Sequence, residues 1–267
     1  MSISAYVAGP AAGHRHTHTV ILLHGRDSEA EEFALEFFQC ETNTVVGPET
    51  DRTLPVLFPT VRWVFPRAKP LRSERFNIDM SQWFDMWSVE DPQERSELQV
   101  PGLKSSIDLV AQVIEDEELL VERDRIVLGG ISQGFATSLA VLFADGSGNF
   151  AGLCGFCSWL PFADRAASAI SKEDPPELLR AMHRLYSEQG PSPLPQLTST
   201  PILLEHSRDD SVIAIENGTR MRDILAQLGF LVDWHEYEDG GHWVNEPQGV
   251  DDFATFLRKI MGVVSTP

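Results

Sequence analysis

Short apolar runs alternate along the chain with longer stretches in which apolar residues recur every three or four positions. Val20-Ile21-Leu22-Leu23 is a run of β-branched residues and leucines that ends at His24-Gly25. Comparable runs at 61–65 (stopped by Pro66), 125–128 (stopped by Gly129-Gly130), 151–156, 201–204 and 231–237 predict further strands. Between them, Leu103, Ile107, Val110, Val113 and Ile114 keep helical spacing, which predicts a helix over 103–121. The same spacing predicts helices over 135–143, 215–228 and 250–260. Strands that are apolar without alternation are buried on both faces. Interleaved with helices, they predict an α/β fold with a mostly parallel central sheet and helices on both faces.

One stretch breaks this rhythm. Residues 171–201 carry a charged helical piece around 176–187, then Gly190-Pro191-Ser192-Pro193-Leu194-Pro195. The segment reads as too polar and proline-rich for core, and is expected to be a surface excursion or a small cap over the site. There is no internal repeat and little that favours a second domain, so a single domain over 1–267 is expected.

Composition narrows the function more than the fold. With 21 Lys plus Arg against 40 Asp plus Glu, the formal charge is −19. A surface of that sign repels phosphate backbones and anionic lipid heads, so no nucleic-acid partner is expected. No apolar run approaches the roughly 20 residues that span a bilayer, so no stable membrane insertion is expected. The N-terminus lacks a basic start followed by an apolar stretch, and three cysteines do not make a disulfide framework. Together these point to the cytoplasm.

The strongest chemical signal is Gly130-Ile131-Ser132-Gln133-Gly134, between a predicted strand and the helix after it. In that setting G-x-S-x-G is a nucleophile elbow: the turn is too tight for side chains beside the serine, whose hydroxyl projects above the sheet edge. The following helix points its free N–H groups at a developing oxyanion. A serine hydroxyl needs a base, and on such a sheet the order is serine, acid, histidine. Asp209 and Asp210, after the strand at 201–204, are the acid candidates. His242, in Asp239-Gly240-Gly241-His242-Trp243, is the base. His206 also follows a strand but precedes the acid, which fits the order badly. His24-Gly25-Arg26-Asp27 is the early loop expected to supply a second oxyanion donor, so the backbone amides of Arg26 and Gln133 form the expected pair.

Other residues have plainer readings. His14, His16 and His18 alternate as if along one strand face, which could suit zinc, but no carboxylate or cysteine joins them and a solvated strand or tail is expected, with no metal. Cys154-Gly155-Phe156-Cys157 has C-x-x-C spacing on a strand, where residues three apart face opposite sides, so buried free thiols are expected. Trp83 and Trp159, with Phe84 and Trp87, are candidates to line a substrate pocket. The acidic runs at 29–32 and 115–118 read as solvated helix faces.

Taken together, several stretches resemble the phospholipase/carboxylesterase family, which includes the acyl-protein thioesterases. They are Leu22-Leu23-His24-Gly25, Phe65-Pro66-Arg67-Ala68, Trp83-Phe84-Asp85, the segment from Arg125 to Gly134, Ser158-Trp159-Leu160-Pro161, Pro201-Ile202-Leu203-Leu204 and Gly241-His242. The resemblance implies an α/β-hydrolase fold and cofactor-independent hydrolysis of carboxylic esters or thioesters, free or carried on an acylated protein. It places the triad on Ser132, Asp210 and His242, favouring Asp210 over Asp209, and the oxyanion amides on Arg26 and Gln133. The chain departs from the family's pattern in four places, one of them the excursion at 171–201, which is longer than in the compact thioesterases. Asp27 stands where the family commonly has glycine, Asp210-Ser211-Val212-Ile213-Ala214 lacks the two prolines of the family's acid segment, and Cys157-Ser158 replaces Ser-Gly. Those departures leave open a specialised small ester, lactone or biosynthetic thioester as substrate. A fold kept only for ligand binding, without turnover, is the alternative of another class; a degraded triad would favour it, and all three members are present here. The sequence does not set an oligomeric state.

Overall fold

The computed structural model describes residues 4–43, 51–170, 175–187 and 195–262. In chain order the elements are β1 (Ala5–Ala8), β2 (His18–Leu23), α1 (Ala30–Phe37), the single turn α2 (Leu54–Leu57), β3 (Val61–Pro66), β4 (Pro70–Ser73), β5 (Ile78–Ser81) and α3 (Gln99–Glu118). Then come β6 (Ile126–Ile131), α4 (Gln133–Asp145), β7 (Gly152–Phe156), α5 (Ala163–Ile170), α6 (Pro175–Tyr186), β8 (Ile202–Ser207), α7 (Ile215–Gln227), β9 (Val232–Tyr237) and α8 (Gln248–Ile260).

The seven-stranded sheet has the order β1-β3-β2-β6-β7-β8-β9. Every pairing is parallel except that of β1 with β3, the antiparallel edge. The six apolar runs of the sequence are the six parallel strands. Their side chains alternate between two cores because successive strand residues point to opposite faces. Ile21 and Leu23 of β2, Ile126 and Leu128 of β6, and Ile202 and Leu204 of β8 pack with α3, α4, α6 and α7. Val20, Leu22, Val127 and Leu203 face the other way, where Phe33 and Phe37 of α1 meet Val250, Phe253 and Leu257 of α8. No helix among the described residues is long and apolar enough to cross a membrane.

The segment at 171–201 differs from its reading. Leu178, Met182 and Tyr186 of α6 are buried in the first core, Tyr186 stacks on Phe143 of α4, and its hydroxyl donates to the Pro161 carbonyl at 2.7 Å. The charged residues that made it read as surface, among them Glu177, Arg180 and Arg184, pair with one another on the outer face. This helix is part of the protein body; the Gly190–Pro195 run lies outside the described residues except for Pro195. Helix α3 begins at Gln99, ahead of the predicted 103, because Pro101 falls within its first turn, where its missing N–H is no loss.

Glu205 of β8 is the least expected core residue. It is 3 % exposed, and neither carboxylate oxygen has a hydrogen-bond partner among the described residues. Burial, reinforced by the charges of Asp252 and Asp233, pushes its carboxyl well above the ordinary range. A raised folded-state value stabilises the protein fully below the unfolded value near 4.5, and that stabilisation is lost as pH rises toward the folded value. Glu205→Gln therefore gains stability relative to wild type between pH 5 and pH 8, by at most about 1.4 kcal/mol per pH unit. Thermal midpoints of both proteins across that range check this; a difference that stays constant with pH contradicts it.

Candidate active site

Ser132 sits between β6 and α4 with φ 55° and ψ −124°, a left-handed backbone rarely adopted by non-glycine residues. Three bonds hold it there. Its N–H donates to the Phe156 carbonyl at 2.8 Å, and its carbonyl accepts from Ala136 N–H at 3.1 Å and from the Ser158 hydroxyl at 2.7 Å. Gly134 allows the close approach of α4 to the end of β2, since a Cβ there would lie 2.1 Å from the Leu23 carbonyl oxygen. The Ser132 hydroxyl is left without a hydrogen-bond partner among the described residues and lines a cavity of about 430 Å³.

His242 lines the same cavity. Its Nδ1–H donates to Asp210 Oδ2 at 2.7 Å, which leaves Nε2 as the unprotonated nitrogen. Asp210 lies past the end of β8, with its side chain fully closed from solvent. Its Oδ1 accepts the N–H groups of Val212 at 2.8 Å and Ile213 at 2.9 Å, an Asx turn that holds the loop without the two family prolines. Burial alone would raise this carboxyl, but hydrogen bonds from His206 and His242, the charge of His242 and the Ile213 amide bring it well below the usual carboxylate range. Asp209 does something else: its Oδ1 accepts the Gly241 N–H at 2.8 Å and ties the two loops together. Of the two acid candidates, the structure brings Asp210 to the histidine.

The opposite wall is built from the loop after β2. The amides of Arg26 and Gln133 have no acceptor among the described residues, and Arg26 lines the cavity beside Ser132. Asp27 takes φ 58°, the conformation for which glycine is favoured, and its N–H donates to the Ser81 carbonyl at 2.7 Å. The Arg26 side chain is turned to the β4–β5 hairpin, where Nε donates to Gln82 Oε1 at 2.9 Å and Nη2 to Ser73 Oγ at 3.3 Å. Below the loop, His24 accepts Ala68 N–H at Nε2, 3.1 Å away, so its proton is on Nδ1 and donates to the Gly25 carbonyl at 2.7 Å. Burial lowers the value at which it takes up a second proton, which suits a structural role.

Of the expected pocket residues, Trp159 lines the cavity and Trp83 does not. Trp83 is fully buried, its indole N–H donates to the His24 carbonyl at 2.8 Å, and its backbone N–H donates to Gln133 Oε1 at 2.9 Å. Gln133 Nε2 donates to the Phe84 carbonyl at 2.7 Å. The segment 83–84 is therefore a clamp between the oxyanion loop and the elbow helix, which explains why a tryptophan there is not at the ligand. Asp27 and Ser28 also line the cavity, and its apolar side includes Phe33, Met80, Met86, Val89 and Trp243. Sequence reading missed all five, though Trp243, adjacent to His242, carried a usable signal.

The other histidines and the cysteines go elsewhere. His16 and His18 bond the hydroxyls of Thr19 and Thr17. Cys40, Cys154 and Cys157 are free and buried. Among the described residues the one close group of potential metal ligands is Cys157, His206 and Asp210. The Asp210 oxygens in that group already face N–H donors, so it does not fit a metal site. A larger groove of about 550 Å³ between α5 and α7 contains none of Ser132, Asp210 and His242.

The phospholipase/carboxylesterase family matches residues 7–179, and the prolyl oligopeptidase family matches residues 103–263. The chain is similar to acyl-protein thioesterase 1 of Gibberella zeae, 27% identical over 255 residues that cover 94% of this chain and 93% of that protein. It is similar to acyl-protein thioesterase 1 of Yarrowia lipolytica, 30% identical over 187 residues that cover 68% of this chain and 70% of that one. Among solved structures, Zea mays acyl-protein thioesterase 2 superposes with a TM-score of 0.70 at 23% identity, covering 98% of this chain and 100% of that one.

Gln133→Leu leaves the Trp83 N–H and the Phe84 carbonyl buried and unpaired. Each such group costs about 1–3 kcal/mol, so the urea midpoint falls at unchanged m-value. An unaltered midpoint contradicts the clamp.

Proposed function

The chain belongs to the phospholipase/carboxylesterase family, and on that premise we propose that Ser132 is its nucleophile, His242 its base and Asp210 the acid that orients the base. The protein is a serine hydrolase that acts on esters or thioesters. The observation that carries the residue assignment is the 2.7 Å Asp210–His242 bond at the cavity that Ser132 also lines.

In this reading His242 Nε2 takes the proton from Ser132 as Oγ attacks the acyl carbonyl. The amides of Arg26 and Gln133, both without an acceptor among the described residues, receive the oxyanion. Collapse breaks the ester or thioester bond, and His242 returns its proton to the leaving alkoxide or thiolate. A water deprotonated by His242 then attacks the acyl-enzyme and releases the acid. Asp210 fixes the imidazole tautomer and steadies the imidazolium without accepting a proton. The whole chain, 1–267, acts as one catalytic domain, since the three residues come from loops of one sheet.

The apolar wall favours an acyl chain over a polar acid, and the thioesterase relatives favour acylated protein or another thioester as the natural substrate. The cavity also accommodates a specialised small ester. With p-nitrophenyl esters from acetate upward, kcat/KM rises by about fourfold per methylene until the cavity is filled, because each buried CH₂ contributes about 0.8 kcal/mol. A steady fall from acetate contradicts an acyl cavity.

Ser132→Ala lowers kcat by about 10⁶-fold with the fold intact. Asp210→Asn lowers kcat by about 10⁴-fold, the cost of the wrong imidazole tautomer. Asp209→Asn keeps an oxygen for Gly241 and costs about tenfold or less. Steady-state rates of the three variants on one ester test the assignment, and equal losses at 209 and 210 contradict it.

A further inference from the structure

His206, on the strand ahead of the acid, is no rival base. It is 1 % exposed, and its Nε2 lies 2.9 Å from the Ile213 carbonyl oxygen and 3.3 Å from Asp210 Oδ2. A carbonyl only accepts, so Nε2 carries the ring proton and donates it to Ile213, with Asp210 Oδ2 close beside the same nitrogen. Nδ1 is buried without a hydrogen-bond partner among the described residues. It faces Gly218 of α7, where a Cβ would lie 2.4 Å away. A side chain at 218 would push the ring toward the acid loop. The ring is thus fixed from both sides.

Resting on the triad assigned above, we propose that His206 is a positioning residue for the reaction. Its Nε2–H holds Asp210 Oδ2 and draws off part of that carboxylate's charge, so that His242 receives a weaker attraction for its proton. The same Oδ2 accepts from His242, and the hydrogen bonds of both histidines lower the Asp210 carboxyl. With less charge left on Oδ2, the imidazolium is less favoured in the resting enzyme and the base stays free to act nearer neutrality.

The surroundings of the pair contain few other titrating groups. Cys157, past the end of β7, and Asp210 offer ligand atoms within 4.8 Å of the ring's. Burial and then the charge of Asp210 push the Cys157 thiol up, so it keeps its proton. On β9 the ring faces Trp234, with centroids 6.4 Å apart, and on α7 it faces Gly218. The charged groups of these elements are paired elsewhere, Arg208 with Glu236 and Glu238, Arg222 with Asp223, and His235 with Asp233 and Asp252. Glu216 lines the groove on the α5 side of α7. Asp209 is held by Gly241, and Arg26 and Asp27 share the cavity lining with His242.

The test is the pH dependence of kcat/KM on one p-nitrophenyl ester for wild type, His206→Leu and His206→Gln, with thermal unfolding of each. Leucine removes the donor, so the acid limb moves up by about one pH unit, a tenfold change in proton affinity. Glutamine puts an N–H at similar reach and returns the limb to its wild-type position. A limb that stays in place in folded His206→Leu, or that moves equally in both variants, overturns the proposal and leaves a merely structural residue. Asp210→Asn separates the two levels. If that variant keeps full turnover, the triad reading fails and this proposal with it. If it loses turnover while the His206→Leu limb does not move, this proposal alone fails.

Discussion

Keeping one carboxylate charged where its side chain is fully closed from water is the constraint around which this molecule is arranged. Desolvation opposes an ionised Asp210, and a buried charge left unpaired would take up a proton or destabilise the fold. The sequence answers with donors brought from three places: two backbone amides of the Asp210 loop, His206 from inside β8, and His242 from the loop after β9. Each donor fixes something else as well. The amides shape the loop, His206 ties β8 to it through the Ile213 carbonyl in the space that Gly218 leaves, and His242 is oriented toward the cavity shared with Ser132. The acid site and the local fold are therefore one hydrogen-bonded unit.

A second unit sits across the cavity. The strained backbone of Ser132 stays in place because Phe156, Ser158 and the first turn of α4 hold its peptide groups. Gln133 and Trp83 then join that helix start to the loop of His24 and Arg26. Strain of this kind costs on the order of 1–3 kcal/mol and persists only where neighbours over-determine it. Here they do so with backbone carbonyls and buried side chains, and the amides of Arg26 and Gln133 are left with no acceptor among the described residues.

The parts of this arrangement that were legible in sequence are those fixed by local pattern. Strands buried on both faces must be largely apolar, so β2, β3, β6, β7 and the start of β8 announce themselves, while the half-exposed edge strand β9 alternates Val232 and Trp234 with Asp233 and His235; the elbow and the two later loops follow from the strand ends. Edge and peripheral elements carry weaker patterns. Ala5–Ala8 is a short, half-buried edge strand, and the β4–β5 hairpin mixes Arg72 and Asp79 with exposed Ile78. Helix α1 was visible only as an acidic run, because Glu31 and Glu32 interrupt the Phe33, Ala34 and Phe37 face that packs on the sheet. Helix α6 read as too polar because its outward face carries Glu177, Arg180 and Arg184 in ion pairs, while Leu178, Met182 and Tyr186 reach the core from the other face. The cavity wall was illegible for a different reason. Phe33, Met80, Val89 and Trp243 come from segments far apart in sequence, and no periodicity links them. Trp83 was misplaced because an aromatic residue near a site can serve as a wall or as a clamp, and only its N–H partners decide which.

The account stands on an activated Ser132. Intact mass after incubation with a fluorophosphonate, on folded wild type and on Ser132→Ala, tests that most directly. The account predicts a single adduct on the wild type and none on the variant. No adduct on the wild type, or an adduct that persists in Ser132→Ala, would contradict it and move the fold toward ligand binding without turnover.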